Sequence, residues 1–429
     1  MSPTSYPSMK RTPFEWLPEV PSHWDIKRMK FATTLANDKV SAEDTSLPYL
    51  GLEHIESWTG QRLPGEIGSS EGLASLFSQG DVLFGKLRPY LAKVHLAEEA
   101  GIVSSEALVI RCDHYILPAF LKYYMLSPSF INIVDSSTYG SKMPRASWDF
   151  IGNLPMLLPE EDEQAAIVAY LDFKTAQIDA LIAKQRTLLG KLTESRIAII
   201  NNAITRGVNK EVICKKCATR WPSEIPSHWT LIPLKYGCEF LNSRRIPLSA
   251  EIRAQMSDRV FPYYGASGII DYVENYIFDE QTILIAEDGA NLLSRSTPLA
   301  FTAGGRYWVN NHAHILKPYL GPFEYWAYLL CAVDYTLWIT GSAQPKLSKE
   351  NLGRILLPVP PESEQRAILA FIQASVKPLD DACEVISNAI IRLIEYRSAV
   401  ITNAVTGRID IRNVPIPLTG DLPAPELEA

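Results

Sequence analysis

Two stretches of this chain, 159–207 and 360–407, carry the same long pattern, and that duplication limits what the chain can fold into. Each opens on proline and acids, Pro159-Glu160-Glu161-Asp162-Glu163-Gln164 and Pro360-Pro361-Glu362-Ser363-Glu364-Gln365, and each stops near a glycine. Proline in the first turn, acids after it and a closing glycine are start and stop signals of a helix. In the first copy Leu171, Ile178, Gln185, Leu192 and Ile199 recur every seven residues; in the second Ile372, Leu379, Ile386, Leu393 and Val400 do the same. A heptad stripe keeps one helix face against a partner helix, and Leu181 and Leu188 read as its second seam position. Between 192–206 and 393–407, eight of fifteen positions are identical, among them Glu194/Glu395, Arg196/Arg397 and Asn202/Asn403. That identity speaks against two unrelated amphipathic helices.

The repeat reaches beyond the helices. Pro21-Ser22-His23-Trp24 returns as Pro226-Ser227-His228-Trp229, an offset of 205, and Gly140-Ser141 with Pro144 returns as Gly341-Ser342 with Pro345, an offset of 201. The chain therefore reads as a tandem duplication whose globular parts drifted while the helices kept register. If the second helix pairs with the first, chain order makes the pair antiparallel, with one globular part at each end and an approximate two-fold axis. A helix of about 45 residues is roughly 65 Å long, close to two turns of duplex DNA. Pro378 stands inside the second heptad run, where the first copy has Gln177, and proline there is expected to kink or interrupt the helix.

Each globular part reads as mixed α/β. Strands are expected at 82–84, 93–96 and 107–111, then at 283–286, 298–302 and 314–316, with short helices at 119–126 and 323–330. The first residues read as a short disordered tail, and so does the proline- and acid-rich stretch 413–429. A hydrophobic content of 47% is ample for real cores, and no apolar run is long enough for a membrane span. Six cysteines in 429 residues suggest a reduced, cytoplasmic protein. Cys214 and Cys217 are spaced like zinc ligands, but no second pair follows, so no metal is expected.

The chemistry of catalysis is missing. No Asn/Asp-Pro-Pro-aromatic loop is present to hold a target amine for methylation. Gly80-Asp81-Val82-Leu83-Phe84-Gly85-Lys86-Leu87 nearly matches a phosphate-binding loop, yet Leu87 replaces the magnesium-binding hydroxyl and the middle is strand-like. No nucleophile–base set stands out, so the chain reads as non-catalytic.

A net charge of −7 leaves room only for a local basic face. Gly85–Lys93 concentrates Lys86, Arg88, Tyr90 and Lys93; as an extended segment it would put Lys86, Arg88 and Tyr90 on one face, for phosphate and guanine contact, or it is a solvated edge strand. Ser141, Lys142 and Arg145 form a second basic loop, with Gln344 and Lys346 in its copy; the bland reading is a structural turn. In the second part the comparable groups are Arg244, Arg245 and Arg295, with Asn291 of Glu287-Asp288-Gly289-Ala290-Asn291 and with Asn310-Asn311-His312 as polar clusters able to meet base edges or build turns.

Taken together these residues resemble the specificity subunits of type I restriction–modification systems. The resemblance covers nearly the whole chain and rests on the ordered double set: Trp16…Pro21-Ser22-His23-Trp24, Gly140-Ser141…Met143-Pro144-Arg145, Pro159…Glu163-Gln164 and Asn202-Ala203-Ile204-Thr205, each with its copy. Gly80–Tyr90 resembles one variety of target-recognition domain; Pro262-Tyr263-Tyr264-Gly265-Ala266, Glu287–Ala290 and Asn310–His312 resemble another. The resemblance implies two target-recognition domains, 1–158 and 208–359, two conserved coiled-coil helices, 159–207 and 360–408, and a flexible tail, 409–429. It implies that each domain reads half of a bipartite double-stranded DNA target while the helices set the spacer and dock two modification subunits. S-adenosylmethionine, magnesium and ATP would then sit on partner subunits, restriction subunits included, and none on this chain. A non-catalytic interaction scaffold without a DNA role is the alternative.

Overall fold

The computed structural model describes residues 5–65, 72–140, 142–341 and 344–415. The chain divides into two compact units, Met1–Arg186 with Asn388–Ala429, and Thr187–Ser387.

In the first unit a four-stranded sheet is built from β1 (Thr33–Ala36), β2 (Val82–Gly85), β3 (Val94–Leu96) and β4 (Ala107–Cys112), in the order β1-β4-β2-β3. Every residue of β2 is buried, as an unbroken apolar run at a sheet centre requires. Helix α1 (Pro118–Leu126) shares its core. The long helix α2 (Glu161–Arg206) begins in this unit and ends in the other.

The second unit repeats the sheet with β5 (Cys238–Phe240), β6 (Thr282–Ala286), β7 (Ala300–Ala303) and β8 (Ala313–Pro318), ordered β5-β8-β6-β7. Helix α3 (Phe323–Ala332) packs on it, and α4 (Glu362–Val405) starts here and finishes in the first unit. The strands and short helices expected from sequence all appear, within about two residues at their ends.

Each unit thus holds the start of one long helix and the end of the other, and the tryptophan motif clamps the two. In the first unit His23 Nε2 lies 2.8 Å from Glu163 on α2, while Trp24 and Pro21 pack on Gly407, just past α4. In the second, His228 Nε2 lies 2.8 Å from Glu364 on α4, and Trp229 packs on Gly207, just past α2. Gly207 and Gly407 have φ of 77° and 70°, the left-handed cap that glycine supplies. Both tryptophans are fully buried. Gln164 completes the first clamp, giving its amide to the carbonyls of Tyr115 and Pro159 and accepting from the Leu117 N–H.

Ion pairs join the helices within each unit. Arg397 of α4 grips both carboxylate oxygens of Asp179 at 2.9 and 3.2 Å in the first, and Arg196 of α2 meets Asp380 at 2.8 Å in the second. The residues correspond, acid for acid and arginine for arginine, with the helices exchanged.

Four expectations need correction. Leu181 and Leu188 are exposed, 48% and 43%, and do not form the second seam; Thr175, Ile182 and Ala203 are buried instead, four residues after Leu171, Ile178 and Ile199. Both +3 and +4 spacings fit a heptad, and the true face lies at +4. Pro378 does not interrupt α4. The neighbouring turns are fixed by buried Ile372 and Val376 before it and by Asp380 bound to Arg196 after it, which offsets the lost backbone bond. The N-terminal segment is ordered from Tyr6 onward: Tyr6 is buried against Trp24 and donates to Glu163 at 2.6 Å, and burial with that carboxylate keeps its hydroxyl protonated. At the other end Ile411 is buried in the same core and Arg412 lies over the Tyr6 ring, while 416–429 fall outside the described residues.

Candidate nucleic-acid interface

The segment after β2, the residue before β4 and the loop after Lys142 are tied together by backbone bonds. Lys86 N–H donates to Glu106 O at 2.9 Å, Ala146 N–H to Lys86 O at 2.9 Å and Arg88 N–H to Pro144 O at 2.8 Å. The second unit makes the same three bonds: Glu287 N–H to His312 O at 2.9 Å, Leu347 N–H to Glu287 O at 2.8 Å, Gly289 N–H to Pro345 O at 3.1 Å. A matching isolated bridge follows in each, Leu87 with Arg145 and Asp288 with Lys346. Arg88 and Gly289 both have positive φ, 51° and 103°, which turns the chain sharply off its strand. One backbone platform therefore occurs twice, with Lys86, Leu87, Arg88, Glu106 and Arg145 at the places of Glu287, Asp288, Gly289, His312 and Lys346.

In the first unit this brings the two expected basic loops together, though not as an extended face. The strand stops at Gly85, Arg88 turns back, and Pro89–Leu91 form one 3₁₀ turn, so the shared parity of Lys86, Arg88 and Tyr90 is not realised and the edge-strand reading fails with it. Lys86, Arg88 and Lys142 make no side-chain hydrogen bond or ion pair among the described residues, and Tyr90 and Tyr139 stand exposed beside them. Arg145 is committed elsewhere: it donates to both oxygens of Glu106 at 3.0 and 3.1 Å and holds that carboxyl below its usual range, with Lys86 adding to the effect. Lys93 turns inward to the Leu52 carbonyl at 2.5 Å, and burial lowers its pKa. Ser141 lies outside the described residues.

The second unit spends its cations on structure. Arg245 braces the platform, donating to Glu287 at 2.6 Å and to the carbonyls of Ala313 and Asn311 at 2.8 and 3.2 Å. Burial works to raise the Glu287 pKa, but Arg245, His314 and Lys346 together bring it below its ordinary value. Arg244 pairs with Glu280 over the Phe278 ring, and Arg295 binds the Cys331 and Val333 carbonyls. Asn291 closes its own turn onto Ser296 and Thr297, and buried Asn310 accepts from the His312 N–H. These groups are turn and brace residues rather than free contacts. Exposed on the platform are His312, Asn311, Gln344 and the half-exposed Lys346.

Glu106 was not among the expected site residues, and Glu287 and Asp288 were expected only as members of a polar cluster, not as the counterparts of Lys86 and Leu87. The signal was present: the 201-residue offset of the loops also aligns Lys86-Leu87-Arg88 with Glu287-Asp288-Gly289.

A family model for the type I restriction modification DNA specificity domain matches residues 226–395. Over 145 residues the chain is 34% identical to a type I restriction enzyme specificity subunit of Haemophilus influenzae, covering 33% of this chain and 36% of that one. Over 228 residues it is 25% identical to the type I restriction enzyme EcoDI specificity subunit of Escherichia coli, covering 52% and 49%. These alignments span about half or less of the relatives' length. A chain from a solved structure on assembly of the type I R-M system superposes with a TM-score of 0.64 at 17% identity, covering 90% of this chain and 98% of that one, a likeness of fold. Among the described residues no helix is long and apolar enough to cross a membrane.

Proposed function

We propose a DNA-reading role on one premise: the chain belongs to the family of type I restriction–modification specificity subunits. In this reading it is the sequence-recognition subunit of the complex, cytoplasmic and itself non-catalytic, and each globular part binds one half of a bipartite duplex target. The observation that carries it is the platform, built twice on the same backbone bonds with different side chains at each place. A reader of two unlike half-sites needs that: fixed geometry, variable chemistry. Lys86, Arg88 and Lys142 supply donors for phosphate or guanine in the first part. The acidic total is then no obstacle, because partner subunits share the DNA.

The two long helices, copies within a tandem duplication, run antiparallel and set the unread spacer. Their exposed apolar residues, such as Leu181 and Leu188 on α2 and Phe371, Ile391 and Ile394 on α4, fit the docking of two modification subunits. Those subunits would bring S-adenosylmethionine to an adenine, and restriction subunits would add ATP and magnesium. The test is to express the chain with its modification subunits and sequence the methylated DNA. One bipartite motif with a fixed unread gap is expected. Methylation without a motif, together with no gel shift of duplex DNA by the assembled complex, would sink the reading.

A further inference from the structure

We infer that His312 is a specificity-determining residue of the second unit, an acceptor for the exocyclic amine of adenine or cytosine, and that Asp288 is the residue that positions it. The inference rests on the DNA-reading role above and deepens it. Asp288 presents both carboxylate oxygens to His312 Nδ1, at 2.8 and 2.9 Å. A carboxylate only accepts, so Nδ1 carries the proton, and a neutral imidazole then has its lone pair on Nε2. Nε2 has no partner among the described residues, and the ring is 47% exposed while the carboxylate is only 16% exposed.

The backbone under the ring is fixed on both sides. The His312 N–H is held by Asn310 Oδ1 at 2.8 Å and its carbonyl accepts from Glu287 N–H at 2.9 Å. The residue next along, Ala313, opens β8. Among the described residues open space adjoins the pair: a Cβ on Gly289 would meet none of them within 4 Å, where the first unit carries the Arg88 side chain. The imidazole is therefore held in one tautomer and one place, beside room for a base edge. An acceptor there suits adenine N6 or cytosine N4 and opposes the carbonyl oxygens of guanine and thymine. The two units would read with opposite hydrogen-bond polarity, donors in the first and an acceptor in the second.

The experiment uses the full chain assembled with its modification subunits and a panel of duplexes varied one base at a time through the methylated motif. His312→Leu is expected to lose about tenfold discrimination at one position of one half-site, with the other half-site read as before. His312→Gln, which keeps an acceptor, should retain the preference for adenine or cytosine there. Asp288→Asn frees the proton to move to Nε2 and should shift that same position toward guanine or thymine. Unchanged preference at every position in all three variants, or an equal loss of affinity on all sequences, would make the pair a surface ion pair and overturn the inference. Wild-type complex without any sequence preference would instead overturn the reading on which it rests, and the two failures are distinguishable because the untouched half-site reports in the same molecule.

Discussion

At the residue scale the question is which cations are free. Among the described residues Lys86 and Arg88 are uncommitted beside Lys142, whereas Arg145 is spent on Glu106. Replacing Lys86 and Arg88 by alanine should therefore weaken DNA binding by the assembled methyltransferase. If one contact is bidentate to guanine, about 1–3 kcal/mol of discrimination disappears at that base. If both meet phosphate, affinity falls on all sequences and the salt slope flattens by about two. Binding titrations at several salt concentrations decide, and identical curves for mutant and wild type would remove these residues from the interface. Glu287 supplies a second prediction. Its folded-state pKa lies below the ordinary value, so its contribution to stability is full above the unfolded pKa and is lost as pH falls through the folded one. Thermal unfolding followed from neutral pH down into the carboxylate range should show the second unit losing stability, and Arg245→Ala should reduce that acid dependence. The free cations could be read from sequence because a cluster such as Lys86, Arg88 and Tyr90 is a local fact. The committed ones could not. Arg145 and Glu106 are 39 residues apart, and which carboxylate meets which guanidinium is decided by the sheet that joins them.

At the element scale the helices were the most legible part. Their ends and their length follow from proline, acids and glycine. The facing side of α2 was less so: Leu181 and Leu188 are no larger than Ile182 and Leu189 beside them, so bulk does not choose the seam, and the buried positions include the smaller Thr175 and Ala203. Thr175 is accommodated because its hydroxyl donates to the Leu171 carbonyl at 2.7 Å, so burial leaves no polar group unpaired. Pro378 makes the element testable. The helix passes through it without the backbone bond a proline lacks. Pro378→Gln, the residue of the first copy, should raise the stability of the full chain by about 1–3 kcal/mol, seen as a higher unfolding midpoint. A lower midpoint would mean that the proline suits a local bend that a regular helix does not.

At the scale of the whole molecule the claim is that helix length sets the gap between half-sites. The ion pair Asp179–Arg397 belongs to the first unit and Arg196–Asp380 to the second. A heptad inserted after Lys184 in α2 and another after Val385 in α4 both fall between these pairs along their helices. The seam stays in phase because seven residues restore the stripe. Each insert adds about 10 Å of helix at ~1.5 Å per residue. At ~3.4 Å per base pair along the duplex, the unread spacer should grow by about three base pairs. Neither half-site should change its bases, since no residue of either platform is touched. Four-residue inserts at the same places would add about 6 Å but move the apolar stripe by roughly half a heptad, so part of that length is lost to a local bulge and the gain is one to two base pairs. Sequencing the methylated sites of both mutants reads the spacer directly. An active heptad mutant that still methylates at the original spacing would show that something other than these helices holds the half-sites apart.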